Sequence, residues 1–165
     1  MTNPEQKIQS FSEINRKKNF KNRENIVLCY GHFNVIHPGH IRYLEYANTL
    51  GSKLYVAIDG DQVFKDLGQK IHNFNAKERA NAVALLPIVD FVTVLDKGNL
   101  EELIEQLTPE ILVLGNEFQT QRRHQMKNAL KILKQNGGRA VFHAGEVQYA
   151  TTDLLDKSAE DPSLE

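Results

Sequence analysis

Five short apolar runs, separated by stretches of helical period, constrain the fold of this chain more than any other feature. They are Ile26–Tyr30, Lys53–Ile58, Phe91–Leu95, Ile111–Leu114 and Ala140–His143. Runs this short, bounded by turn residues and rich in valine, isoleucine and leucine, read as strands buried on both faces. Between them, Ile41, Leu44, Ala47 and Leu50 recur at helical spacing, followed by Ala80, Val83 and Ala84, by Leu100, Leu103, Ile104 and Leu107, and by Met126, Leu130, Ile132 and Leu133. Strict strand–helix alternation predicts an α/β fold, a Rossmann-like doubly wound sheet of about five parallel strands with helices on both faces. In such sheets a ligand binds beyond the carboxyl ends of the strands, where the strand order reverses.

Punctuation residues set the element ends. Gly51 stops the first helix, Asn75 with Glu78 forms a capping box for the second, and Asn99 opens the third, which Thr108-Pro109 stops. Asn136-Gly137-Gly138 closes a helix expected over 121–135, Pro87 marks the end of the second helix, and a short helix is expected from Val63 to Leu67. Residues 1–24 are polar, with Arg16-Lys17-Lys18 as a solvated face and Ile8, Phe11 and Ile14 at helix-like spacing. They read as a short helix or arm packed on the domain. The organisation is therefore an N-terminal arm over 1–24, one globular domain over 25–157, and a disordered acidic tail over 158–165.

Charge narrows the partners. The 20 basic and 21 acidic residues nearly cancel, so there is no electrostatic case for a nucleic-acid or membrane surface, and a small molecule is favoured. No apolar run approaches the roughly 20 residues that span a bilayer, and the N-terminus lacks the apolar core of a signal peptide; a cytoplasmic protein is expected. The single cysteine, Cys29, excludes an internal disulfide and reads as a small core residue.

One stretch carries chemistry: Gly31-His32-Phe33-Asn34-Val35-Ile36-His37-Pro38-Gly39-His40, at a strand-to-helix turn. Pro38 suits the first helical turn, Gly39 allows close approach to the backbone, and the exposed N–H groups of a helix N-terminus attract an anion. His37 and His40 add two donors. The ends of the first, second and fourth strands, Gly31 to His40, Asp59 to Asp61 and Gly115 to Phe118, would share one rim with Thr151 and Thr152. His37 and His40 do not read as a metal site, because neither a cysteine cluster nor an H-E-x-x-H pattern accompanies them. Asp59 and Asp61 are either ligand contacts or turn residues, Arg79 a phosphate ligand or an ion-pair partner, and Thr151 and Thr152 ligand donors or caps. His32, His72, His124 and His143 carry no catalytic assignment. G-x-G-x-x-G is absent after the first strand, which argues against hydride transfer.

The same stretch resembles the G-x-F-D-x-x-H-x-G-H signature of the cytidylyltransferase-like nucleotidyltransferases. Asn75 to Arg79 with Ala82 and Leu85, Val89-Asp90-Phe91-Val92, Leu107 to Val113, and Gly145-Glu146-Val147 with Tyr149 and Thr151-Thr152 resemble, in order, the adenylyltransferase domain of bacterial ADP-heptose synthesis, over roughly residues 24 to 156. The resemblance implies transfer of a nucleoside monophosphate, AMP from ATP, to a sugar phosphate such as heptose 1-phosphate, with release of pyrophosphate. It implies Mg²⁺ carried by the nucleotide phosphates, no protein-held metal, and a homodimer. His37, His40 and Lys70 would be catalytic. Gly31, His32, Phe33, Asn34, Gly39, Asp59, Asp61, Arg79, Gly115, Asn116, Glu117, Thr151 and Thr152 would bind the nucleotide. Three positions depart from the pattern: Asn34 replaces an aspartate, Gly68 falls where the sugar-phosphate enzymes carry a lysine, leaving Lys65 or Lys70 to replace it, and Glu117-Phe118 replaces Asp-Tyr. The alternatives are a CTP-dependent cytidylyltransferase acting on a polyol phosphate such as glycerol 3-phosphate, and a non-catalytic nucleotide-binding regulator.

Overall fold

Side chains that alternate along the first strand build two cores at once. In the computed structural model, which describes residues 3–14, 20–21, 24–66, 74–97, 99–115, 118 and 124–142, strand β1 (Ile26–Gly31) sends Ile26, Leu28 and Tyr30 into one apolar cluster and Val27 and Cys29 into another. Period-two alternation with both faces buried is what a central strand requires.

The chain continues through α2 (Pro38–Asn48), β2 (Lys53–Asp59), α3 (Asp61–Asp66), α4 (Ala76–Ala84), β3 (Phe91–Leu95), α5 (Leu100–Leu107), β4 (Ile111–Leu114), α6 (His124–Gln135) and β5 (Arg139–Phe142), after a short α1 (Pro4–Lys7). The sheet order is β3-β2-β1-β4-β5, and every neighbouring pair is parallel. Tyr43, Leu44 and Ala47 of α2 and Ala80, Val83 and Ala84 of α4 cover one face. Leu100, Leu103, Ile104 and Leu107 of α5, with Met126, Ala129 and Leu133 of α6, cover the other. The doubly wound reading holds, and the strand order reverses between β1 and β4.

Strand boundaries fall within a residue or so of those expected, β1 and β2 each running one residue further at the carboxyl end. Asn75 and Glu78 do form the capping box of α4, but the helix stops at Ala84, before Pro87. Asn99 precedes α5 without a capping bond from its side chain. The arm packs on the domain as expected, although not as one helix. Ile8, following α1, pairs with Val92 in a parallel bridge, Phe11–Glu13 forms a 3₁₀ turn, and Ile14 and Phe20 are buried in the α5/α6 core. Hydrogen bonds to β3 outcompete helix here: Gln9 N donates to Val92 O at 2.8 Å and the Thr93 hydroxyl donates to Gln9 O at 2.8 Å. The basic run at 16–18, Gly68, Lys70, His72, His143 and the tail over 158–165 lie outside the described residues. No helix among the described residues is long and apolar enough to cross a membrane.

Candidate functional site

The turn that follows β1 is shaped by one strained residue. Phe33 adopts φ 51°, the left-handed region, which costs a residue other than glycine roughly 1–2 kcal/mol. Burial of its ring offsets that cost: Phe33 is almost fully enclosed and its ring lies 5.2 Å from the imidazole of His40. A Cβ at Gly31 would come within 3.1 Å of the same ring, so Gly31 and Phe33 are needed together.

The turn delivers the chain to the N-terminus of α2. His37 is the N-cap residue, Pro38 opens the helix, and His37 Nδ1 accepts from the amide of Gly39 at 3.1 Å. An imidazole whose Nδ1 accepts carries its proton on Nε2 when neutral. The amide of His37 points at His40 Nδ1 from 3.4 Å, and the two rings stack at 3.9 Å. Desolvation lowers the pKa of His37. His40, deeper, is pushed down to about 4, by desolvation first and then by the neighbouring His37, against an opposing backbone hydrogen bond at Val35. Both rings are thus uncharged near neutral pH, ready to donate to an anion or to gain charge beside one.

Three residues for which the sequence left a nucleotide contact and a structural role open make contacts within the protein. Asp59, the last residue of β2, is fully buried; its Oδ1 accepts from Tyr30 OH at 2.7 Å and its Oδ2 lies 2.7 Å from His32 Nδ1. Arg79, on the helix face that a surface ion-pair reading would expose, is 2 % exposed. Its Nη1 donates to His32 O at 2.7 Å and its Nη2 pairs with Asp61 at 3.0 Å. Asp61 Oδ2 also accepts from the amide of Ala76 at the start of α4. Asp59, Asp61 and Arg79 therefore brace the turn from behind, and Arg79 is not presented to a phosphate in this arrangement. Burial decides the difference, because a guanidinium enclosed by apolar neighbours needs fixed acceptors.

Tyr30 is the residue that sequence reasoning missed. Its signal was available: Tyr30 is in register with Ala57, and two residues on, the same face of β2 carries Asp59. Gly115 follows β4 on the far side of β1, where the ring of Phe118 packs 5.7 Å from Tyr30. Gly31 to His40, Asp59 to Asp61 and Gly115 thus do share one rim, as expected. Lys70, Asn116, Glu117, Thr151 and Thr152 lie outside the described residues.

Two further features bound the chemistry. Cys29 is fully buried among apolar side chains, which pushes its thiol up to about 12, as befits a core residue. Among the described residues no group of three or more histidine, cysteine or carboxylate side chains gathers as a metal cage. Asn34 Oδ1 is buried without a hydrogen-bond partner among them, an oxygen acceptor held open in the turn.

Residues 28–152 match the cytidylyltransferase-like family. The bifunctional protein HldE of a Marinomonas species is 33% identical over 145 residues, covering 83% of this chain and 28% of that protein. The chain thus spans between a quarter and a third of the length of such bifunctional relatives. The D-beta-D-heptose 1-phosphate adenylyltransferase of Bordetella bronchiseptica is 32% identical over 134 residues, 80% of each chain. Among solved structures, the lipopolysaccharide core biosynthesis protein of Thermoplasma volcanium shares the fold with a TM-score of 0.64 at 24% identity, over 75% of this chain and 99% of that one.

Proposed function

The chain belongs to the cytidylyltransferase-like family, and from that premise we propose that it is an adenylyltransferase, moving AMP from ATP to a sugar phosphate such as heptose 1-phosphate. One observation carries the reaction class: two stacked imidazoles at the capped N-terminus of α2, at the point where the strand order reverses. The Bordetella relative, alike over four fifths of both chains, supports the choice of donor and acceptor.

The chemistry needs no side-chain nucleophile. An oxygen of the acceptor phosphate attacks the α-phosphorus, the bond from that phosphorus to the α–β bridging oxygen breaks, and pyrophosphate leaves with the electron pair. Charge grows on the phosphoryl oxygens as the bonds exchange, so catalysis is positioning and charge stabilisation. His37 would donate its Nε2–H to those oxygens, because Gly39 occupies its Nδ1. His40, stacked on His37 and backed by Phe33, would hold it in place and add a donor. The positive end of the α2 dipole adds its field at the same place, the amide of Gly39 itself being held by His37. Mg²⁺ would travel with the triphosphate and neutralise its charge, and Asn34 Oδ1, a hard oxygen of the kind magnesium takes, would face it from the turn. Lys70 would contact the phosphates, Gly115, Asn116 and Glu117 the nucleoside, and Thr151 and Thr152 the bound nucleotide. A cytoplasmic homodimer completes the proposal, with sedimentation testing the assembly.

The assay is pyrophosphate release with each of the four triphosphates against heptose 1-phosphate, other sugar phosphates and glycerol 3-phosphate. Release that needs ATP and heptose phosphate together supports the reading. Release only with CTP and a polyol phosphate replaces it with a cytidylyltransferase, and nucleotide binding without release from any pair replaces it with a regulator.

A further inference from the structure

The carboxylate of Asp59 is fully buried, yet only one of its oxygens is used by a neighbour within the sheet, Tyr30 OH. The other lies 2.7 Å from Nδ1 of His32, an ion-pair approach that falls short of hydrogen-bond alignment and that a small turn of the ring would complete; the His32 side chain is 31% exposed. Burying a carboxylate is costly unless paired, so a structural role alone would favour an enclosed partner. Here the partner is a ring that reaches solvent on the phosphate-binding turn, between Gly31 and the strained Phe33. Its backbone is held as well, since Arg79 Nη1 donates to His32 O at 2.7 Å, and Arg79 is itself anchored on Asp61. His32 is thus gripped through its carbonyl from α4 and through one ring nitrogen from β2. A carboxylate on one nitrogen of an imidazole fixes the tautomer and the ring's orientation, which aims the other nitrogen.

We propose that Asp59 is a positioning residue that turns His32 Nδ1–H inward and aims Nε2 at the triphosphate, which makes His32 a third phosphate-contacting histidine. The inference deepens the proposed function and rests on it for the identity of the ligand. It gives the site two differently prepared donors. His37 is set by a backbone amide on Nδ1 and is a donor through Nε2 while neutral. His32 is set by a carboxylate, so that a proton on its Nε2 makes an imidazolium paired on one edge with Asp59 and on the other with a phosphate oxygen.

The test uses the full chain and magnesium inorganic triphosphate as the probe, which separates it from turnover. In ¹⁵N imidazole spectra, His32 should show its proton on Nδ1, and its Nε2 resonance should move when the probe is added. By calorimetry, Asp59→Asn and His32→Asn should each weaken probe binding by about tenfold, the scale on which supporting partners of a ligand-binding histidine act. The double variant should bind no worse than either single one, and Asp59→Asn should lose the Nδ1–H signature. An unmoved Nε2 resonance, an Asp59→Asn variant that binds as the wild type does, or losses that add would overturn the proposal. Should Asp59→Asn fail to fold, His32→Asn with the Nε2 shift decides alone. Absence of pyrophosphate release from any nucleotide, with His32 still responding to the probe, would remove the adenylyltransferase reading and leave this one standing.

Discussion

Carboxylates sit at both edges of the sheet, and they do opposite things. At the amino edge, Asp90 Oδ2 accepts from the amide of Leu54 at 2.8 Å while its Oδ1 holds Lys53, and Glu110 Oε2 accepts from the amide of Ile26 at 2.6 Å. Each ties the first residues of one strand to the start of its neighbour. At the carboxyl edge, Asp59 and Asp61 bind side chains and a helix amide: Tyr30, His32, Arg79 and the start of α4. One edge fastens mainly strand backbone, whereas the other fixes mainly the side chains behind the turn proposed to hold the triphosphate. The same residue type thus separates stability from chemistry by which end of the strands it occupies.

Removing a histidine of the turn at the carboxyl edge should cost turnover more than stability. His40→Ala is expected to lower kcat by about a hundredfold or more, as loss of one transition-state donor does, with the melting temperature little changed. Equal losses in both would break the comparison. At the amino edge the reverse is expected. Glu110→Ala leaves the buried amide of Ile26 without its partner and should destabilise the fold by about 1–3 kcal/mol, read from denaturant unfolding, with kcat/KM unchanged where the protein is folded. A further effect belongs to pH. His40 is held down to about 4 from an ordinary 6.5, so the unfolded chain takes up a proton that the folded one refuses. That contribution to stability is complete above pH 6.5 and is lost as pH falls towards 4. His40→Asn should flatten the acid side of the melting curve in that window, and an unchanged slope would place the proton uptake elsewhere. The smallest effect is expected at Lys53, whose pairing with Asp90 is a third exposed: Lys53→Ala should cost at most about 1 kcal/mol in thermal unfolding.

The fold was legible because period carries it. Val27 and Cys29 alternate with Ile26, Leu28 and Tyr30, and Leu100, Leu103, Ile104 and Leu107 mark a helix face, whatever the rest of the chain does. The arm was not, since Ile8, Phe11 and Ile14 keep helix-like spacing while the open edge of β3 offers Gln9 and Ile8 better hydrogen bonds than a helix would. At the site, Gly31, His37, Pro38 and His40 were readable because a strand-to-helix turn needs few residues and they are adjacent in sequence. For Asp59 and Arg79 the sequence left two readings each, because their contacts depend on burial and on partners 27 to 47 positions away in the chain, Asp59 against His32 and Arg79 against His32. Linear sequence shows residue type and local spacing; it does not show which side of a turn a charge occupies.

The location of the triphosphate tests the central claim most directly. A structure with magnesium and a non-hydrolysable ATP analogue is expected to place the α-phosphate at the start of α2, within hydrogen-bond reach of His37 Nε2. Phosphates bound instead in the roughly 720 Å³ groove between the N-terminal arm and α4, lined by Glu5, Asn75, Lys77 and Asp96, would contradict it.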